Sequence, residues 1–164
     1  MTIQINELAS SEKEAYLKLC HKIDRESKFL LYEPEERDLS ELHASGPHAA
    51  IFLAKEGVQP VGFATVQGNG RQRTKHRATI AIGLLKAHQK RGVGKQLLLE
   101  AVTWASMRNI SRLECAVMAT NKSALWLFST MGFNVEGIRR NAVVVGEQYI
   151  DEFYMAKWIE LNRK

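Results

Sequence analysis

The segment Gln89-Lys90-Arg91-Gly92-Val93-Gly94-Lys95 stands between a strand-like run that ends near Leu85 and a helical stripe that begins at Val93. The backbone N–H groups that open a helix have no intrahelical acceptor and lie at the positive end of its dipole, so a strand-to-helix turn of this kind is a natural seat for an anion. Gly92 and Gly94 carry no side chain that would keep a phosphate from the backbone, while Gln89, Arg91 and Lys95 offer further donors. A tight turn that merely starts a helix would show the same two glycines. The segment is neither GxxxxGK[ST] nor a full GxGxxG opening a βαβ unit near the N-terminus, which argues against both nucleotide-binding classes. Its meaning rests on the elements around it.

Upstream, three strand patterns follow one another at residues 49–55, 61–67 and 78–85, separated by Gly57 and by Gly68-Asn69-Gly70, which predicts an antiparallel meander. Downstream, Leu97, Leu98, Ala101, Val102 and Ala105 form the buried stripe of a helix over 93–108, and a strand follows at 112–117. A strand, helix, strand connection of this length is a right-handed crossover, so the two strands lie parallel in one sheet. A parallel pair set in an antiparallel sheet has to splay somewhere.

The chain before the meander reads as a strand over 2–8, then a helix from Ser10 and Ser11 to Lys28 with a Ser11–Glu14 capping box. A loop containing Pro34 follows over 31–37, and a short helix over 39–45 ends at Gly46-Pro47. After residue 117, a helix runs from Thr120-Asn121 to about Met131 and stops at Gly132. Strands at 135–140 and 147–158, joined by residues 141–146, close the sheet as a hairpin. No linker, repeat or low-complexity segment interrupts residues 1–164, so the expectation is one domain of α/β (α+β) class with a mixed, mostly antiparallel sheet of about seven strands and about four helices.

Bulk properties agree. The 164 residues, 45% hydrophobic and 25% charged, suit one soluble core. No apolar run approaches the roughly 20 residues needed to span a bilayer, and the first residues lack a basic, apolar leader, so the expected location is cytoplasmic with no membrane partner. Cys20 and Cys115 are far apart, with no CxxC and no paired histidines, and read as reduced core thiols with no metal site. Lys and Arg exceed Asp and Glu by 23 to 18, a balance that attracts anionic ligands at long range. The basic stretch from Arg71 to Arg77 has no interleaved aromatics and reads as a solvated loop, so no nucleic-acid partner is expected.

The Gln-x-x-Gly-x-Gly of Gln89 to Gly94 resembles the acetyl-CoA signature of the GNAT N-acetyltransferases. Residues 76–85 resemble that family's fourth strand and residues 112–117 its fifth. Asn121-Lys122-Ser123-Ala124-Leu125-Trp126-Leu127-Phe128 and Met131-Gly132-Phe133-Asn134-Val135-Glu136-Gly137 are similar to its N-x-x-A-x-x-L-Y and G-F-x-x-E-G patterns. The ending from Tyr149 to Ala156 resembles the bacterial branch that modifies amino acids, polyamines, antibiotics or ribosomal protein N-termini. The likeness is strong from about His76 to Trp158; the first 70 residues match in order of elements alone.

The resemblance implies a sheet splayed between strands four and five, and acetyl-CoA as co-substrate held by Leu84, Leu85, Gln89, Lys90, Arg91, Gly92, Val93, Gly94, Lys95, Asn121, Ser123 and Phe128. It implies a primary amine acceptor, carried by a small molecule or a peptide, that attacks directly in a ternary complex, and a homodimer formed through the C-terminal strands. The backbone N–H of Leu84 is the implied oxyanion donor. A lysine-like amine with a pKa of about 10.4 is neutral at pH 7 only to roughly a few parts in ten thousand, so a base or water relay is expected. Glu33 is the leading candidate, beside Glu36, His76 and Asp151. Relatives commonly protonate the departing thiolate with a tyrosine where this chain has Phe128. Three readings follow: a CoA thiol with a pKa of about 8.5 leaves unaided, Tyr149 or Tyr154 substitutes, or the protein is an acyl-CoA-binding module with little or no transfer. Asn121 reads both as a helix N-cap and as a ligand for the pantetheine arm.

Overall fold

The computed structural model describes residues 2–38 and 46–161. Seven strands, β1 (Ile3–Glu7), β2 (Ala49–Glu56), β3 (Gln59–Gly68), β4 (Arg77–Leu84), β5 (Arg112–Met118), β6 (Asn134–Val145) and β7 (Gln148–Trp158), form one sheet in the order β1-β2-β3-β4-β5-β7-β6. Three α-helices, α1 (Lys13–Glu26), α2 (Val93–Met107) and α3 (Lys122–Thr130), pack on it. The fourth helix expected from the sequence, over 39–45, lies outside the described residues. All strand pairs are antiparallel except β4 with β5, whose parallel register covers only Arg77↔Arg112 to Thr79↔Glu114. Beyond Thr79 and Glu114 the two strands part.

Side-chain alternation sorts the sheet into two faces. Phe63 and Gly83 are register partners, a Cβ on Gly83 would come within 2.5 Å of the Phe63 ring, and Tyr16 of α1 meets that ring edge-on at 5.4 Å. Arg77, Thr79, Ala81 and Gly83 therefore share the α1 face, and through the parallel register so do Arg112, Glu114, Ala116 and Met118. The opposite face carries α2 and α3. Leu97, Leu98, Ala101 and Ala105 of α2 are fully buried there, in one core with Ile80 of β4 and Leu113 and Val117 of β5. A helix with one such stripe needs a sheet to cover it, and α2 lies chiefly across β1 to β4.

Two local expectations are corrected. The start of α1 is not capped by Ser11 and Glu14: Ser10–Glu12 form a 3-10 turn in which the Glu12 carboxylate accepts from the Ala9 N–H (3.0 Å) while the Glu12 N–H donates to the Ala9 carbonyl (2.9 Å). Lys55 of β2 also pairs with Glu12, and this contact with a distant strand explains why the acidic residue nearer the turn wins. The helix then ends at Glu26, two residues early, because Ser27 adopts extended backbone. The second correction concerns residues 141–146, which do not form the hairpin loop. β6 continues to Val145 through a bulge between Arg139 and Val143, with Asn141 at φ 49°, and the true turn is Gly146-Glu147. Asp151 of β7 holds the bulge by accepting from the Asn141 N–H (2.8 Å) and Arg140 Nη1 (2.9 Å), and these donors keep its carboxyl below the usual range.

The segment after α1 is fastened to the α1 face by one buried ion pair. Arg37 donates from Nε (2.8 Å) and Nη2 (3.0 Å) to the Asp24 carboxylate, whose side chain is wholly buried, and its guanidinium lies over the Tyr32 ring at 4.1 Å. His21 Nε2 meets the Arg37 carbonyl at 2.8 Å. Removing one partner leaves an uncompensated buried charge, which costs about 3 to 5 kcal/mol. Arg37→Ala should therefore lower unfolding stability by about 3 kcal/mol in urea denaturation. A loss below about 0.5 kcal/mol, the usual range for surface substitutions, would show that the pair does not hold the segment.

Candidate functional site

The opening between β4 and β5 is bounded by three groups of residues. Its left arm is the second half of β4, from Ile80 to Leu84, paired to β3 on one side and without β5 on the other. Its right arm is Cys115–Met118 of β5, backed by β7. At its mouth lies the chain from Leu85 to Val93. Leu85 is buried and its N–H donates to the Val61 carbonyl (2.9 Å), a 3-10 turn occupies Lys86–His88, and Gln89 Nε2 reaches back to the Leu84 carbonyl at 3.4 Å. Lys90 (φ 59°) and Gly92 (φ 79°) then turn the chain into α2.

Gly92 is the N-cap of α2, and no side chain caps this terminus. The first-turn N–H groups of Val93, Gly94 and Lys95 are consequently left for an external acceptor. A Cβ built on Gly92 meets no atom within 4 Å, so the surface beside the terminus is open; glycine is required there for its left-handed backbone. Gly94 has another role. A Cβ on it would come to 3.0 Å from Leu127 Cδ2 and 3.3 Å from Leu84 Cδ1, and a Cβ on Gly62 would collide with Leu84 Cδ2 at 2.3 Å. The Leu84 side chain thus fills the space that two glycines vacate, joining the end of β4 to the first turn of α2. From the sequence this side chain looked uninformative.

Glu56, at the end of β2, braces the mouth. Its carboxylate meets His88 Nε2 at 3.1 Å and Arg91 Nη2 at 3.2 Å, and these two bonds, His88 first, hold its carboxyl below the usual range. Arg91 therefore stands at the mouth with one carboxylate partner already, while Lys90 and Lys95 are exposed there. Below, Asn121 is the N-cap of α3: its Oδ1 accepts from the Ala124 N–H at 3.2 Å, and Ser123 lies exposed in the first turn.

The structure gathers Leu84 and residues 89–95 at the mouth, but does not bring every expected residue there. Phe128 is 5% exposed and packs edge-on against Phe133 at 5.0 Å, as part of the core. Tyr149 is 68% exposed on the hairpin beyond the end of β5, which pairs with β7 only from Glu152 onward. Glu33 and Glu36 lie exposed in the loop after α1, where Glu36 accepts from the Glu33 N–H at 2.8 Å. Asp151 is committed to the β6 bulge.

On the α1 face a cleft of about 480 Å³ lies beside the splay, lined among others by Thr79, Glu114, Ala116, Glu136 and Tyr154. Arg112 joins its acids, bonding Glu114 (2.8 Å) and Glu136, which together raise its already high pKa further. The sequence reading passed over Glu114 and Glu136. The signal available was polar residues at alternate positions, Arg112 and Glu114, in a strand whose other positions are core. Among the described residues, no group of three or more His, Cys, Asp or Glu is placed to hold a metal ion, and no helix is long and apolar enough to cross a membrane.

A strand-splayed sheet with an uncapped helix terminus at its mouth is a cleft suited to an anionic ligand. The family model described as the acetyltransferase (GNAT) family matches residues 17–133, and the chain belongs to that family and is an N-acetyltransferase. It is 28% identical over 125 residues, 76% of this chain and 77% of the relative, to the L-amino acid N-acetyltransferase AaaT of Escherichia coli (strain K12). The crystal structure of an acetyltransferase of the GNAT family from Streptococcus pneumoniae superposes with a TM-score of 0.89 at 24% identity, covering 97% of this chain and 100% of that one. The structure of yncA from Salmonella typhimurium with its cofactor acetyl-CoA gives 0.86 at 14% identity, covering 100% and 98%.

The packing around Gly94 has a measurable consequence. Gly94→Ala should destabilise the fold by about 1 to 2 kcal/mol through overpacking against Leu127 and Leu84. In a Leu127→Ala background, where only the looser Leu84 contact remains, the cost of the same substitution should fall in a double-mutant cycle read by denaturant unfolding. Equal costs in both backgrounds would place the strain elsewhere.

Proposed function

We propose that this protein transfers the acetyl group of acetyl-CoA to a primary amine, borne by a small molecule or a peptide, by direct attack in a ternary complex. The observation that carries this reading is the uncapped start of α2 beside the open Gly92 surface, at the mouth of the gap between β4 and β5. The pyrophosphate sits on the N–H groups of Val93, Gly94 and Lys95, with Gln89, Lys90 and Arg91 around it. The pantetheine arm, with its two amides, enters the gap as a short strand substitute and meets Asn121 on the way. The thioester carbonyl then lies against the Leu84 N–H, the donor for the oxyanion.

The amine approaches from the α1 face and is neutral when it attacks. Its nitrogen forms a bond to the thioester carbon, the C–S bond breaks, and the proton lost from nitrogen leaves with the CoA thiolate or to water. No protein acid is assigned to the thiolate: Phe128 has no proton to give, and a thiol with a pKa of about 8.5 is a tolerable leaving group near neutrality. An α-amino acceptor, with a pKa of about 7.7 to 8.0, is already roughly a tenth neutral at pH 7 and needs no strong base. Against a covalent intermediate stand the two thiols. Burial pushes Cys20 up to about 11 and Cys115 up to about 12, which leaves almost no thiolate in either.

Three outcomes test the reading. Acetyl-CoA at 100 times its dissociation constant should stabilise the fold by about 2.7 kcal/mol, seen as a rise in melting temperature. The rise should vanish in Gly92→Asp, which sets a carboxylate on the anion seat. No rise in the native protein at millimolar acetyl-CoA would sink the proposal. A panel of free amino acids, polyamines and short peptides with free N-termini should show CoA release with at least one amine, and mass spectrometry should find the acetyl group on the amine. A stable acetyl group on Cys20 or Cys115 that passes to the amine would replace direct attack with a two-step route.

A further inference from the structure

Three polar or charged residues are buried among the described ones: Asp24, Ser111 and Glu152. Asp24 receives two bonds from Arg37, and the Ser111 N–H donates to the His76 carbonyl. Glu152 is different. It is 5% exposed, yet among the described residues its one side-chain partner is Arg139 Nη1 at 3.5 Å. That is well beyond the roughly 2.7 to 2.9 Å of a charge-assisted bond. The Arg139 guanidinium is half exposed and lies over the Tyr154 ring at 4.6 Å, so its position is set by the ring as much as by the acid. A buried carboxylate with unspent acceptor capacity calls for a cationic donor.

The register says where that donor would stand. Thr79 and Glu114 are the last parallel partners; counted four residues onward, Gly83 of β4 falls level with Met118 of β5. Met118 is in turn the partner of Glu152 on β7. Glu152 therefore lies toward the same end of the sheet as Leu84, one strand beyond the right arm of the gap. Alternation along β7 puts Glu152 on the same face as Tyr154, the face of the cleft and of α1. This is the side opposite α2 and α3, and the side from which the acceptor approaches.

The geometry points to Glu152 as the carboxylate that binds the acceptor's ammonium group and brings its nitrogen to the thioester held at Leu84. The assignment rests on the acetyl-transfer reading above and specifies its acceptor: a primary amine that reaches the site as a cation. A primary ammonium brings three donors to an oxygen pair that holds one long bond, from Arg139. Arg139 is the competing cation, and its half-exposed side chain is free to give way. Loss of the amine proton to water precedes attack, so Glu152 is a binding and positioning group and no proton has to remain on it.

The probe is n-butylammonium, a cation at pH 7, against n-butanol, its neutral counterpart. Binding of each to the CoA-loaded protein is measured by saturation-transfer NMR titration in the native protein, Glu152→Gln and Arg139→Gln. The expected results are a preference of about tenfold or more for the cation in the native protein, its loss in Glu152→Gln, and an equal or larger preference in Arg139→Gln, where the competitor is gone. The opposite directions of the two variants separate recognition from general destabilisation. No preference in the native protein, a preference that survives Glu152→Gln, or one that collapses in Arg139→Gln overturns the assignment. Preference for the cation without CoA release from any amine on the panel would instead count against acetyl transfer and leave Glu152 as an ammonium site.

Discussion

Only three residue pairs, Arg77↔Arg112 to Thr79↔Glu114, join β4 to β5, and the remaining architecture follows from that short parallel ladder. The crossover through α2 forces the two strands to run the same way, and the ladder fixes their beginnings side by side. Past it the strands diverge, leaving two backbone edges without each other as partners. Buried backbone donors and acceptors are almost always satisfied, so such a gap is a place for water or for a ligand with amides of its own. The divergence also sets the start of α2 at the wide end of the gap. Three glycines keep that end in shape: Gly62 and Gly94 give room to the Leu84 side chain, and Gly92 supplies the left-handed turn.

The sheet divides the work of the site between its faces. On one side α2 and α3 supply helix termini, where the uncapped first turn of α2 and the basic residues of the preceding loop favour a polyanion. On the other side the charges of β5, β6 and β7 are of both signs and already interlocked, as in Arg112 with Glu114 and Glu136. Within that balanced set Glu152 stands out for being buried and loosely paired. Under the proposed function, this asymmetry would draw an anionic co-substrate and a cationic acceptor to opposite faces of the same gap.

The α1 face also carries the segment through Arg37, held by its buried pair with Asp24 and by stacking on Tyr32. An ion pair of this depth contributes more to fixing one arrangement than to net stability, because the desolvation of both groups offsets most of their attraction. At the mouth, the bonds of the partly exposed Glu56 to His88 and Arg91 fix the loop while leaving the main-chain donors of α2 free.

Sequence alone determined the order and kind of the elements, because helix stripes, strand alternation and turn glycines are local patterns read within a dozen residues. It also located the glycine-rich strand-to-helix turn that opens α2, since that turn is contiguous in the chain. What it misread was set by side-chain partners that no local pattern announces: Lys55 drew Glu12 into the cap of α1, and Asp151, across the hairpin, held a bulge where Asn141 to Gly146 had looked like a loop. The acceptor side was the least legible. Phe128 turned out to be core, Tyr149 stands outside the reach of β5, and Glu152 was passed over. A lone glutamate in a strand gives no sign of its burial or of its distance from the nearest cation. Only the register of β4, β5 and β7, built from partners more than 30 residues apart, sets it toward the same end of the sheet as Leu84.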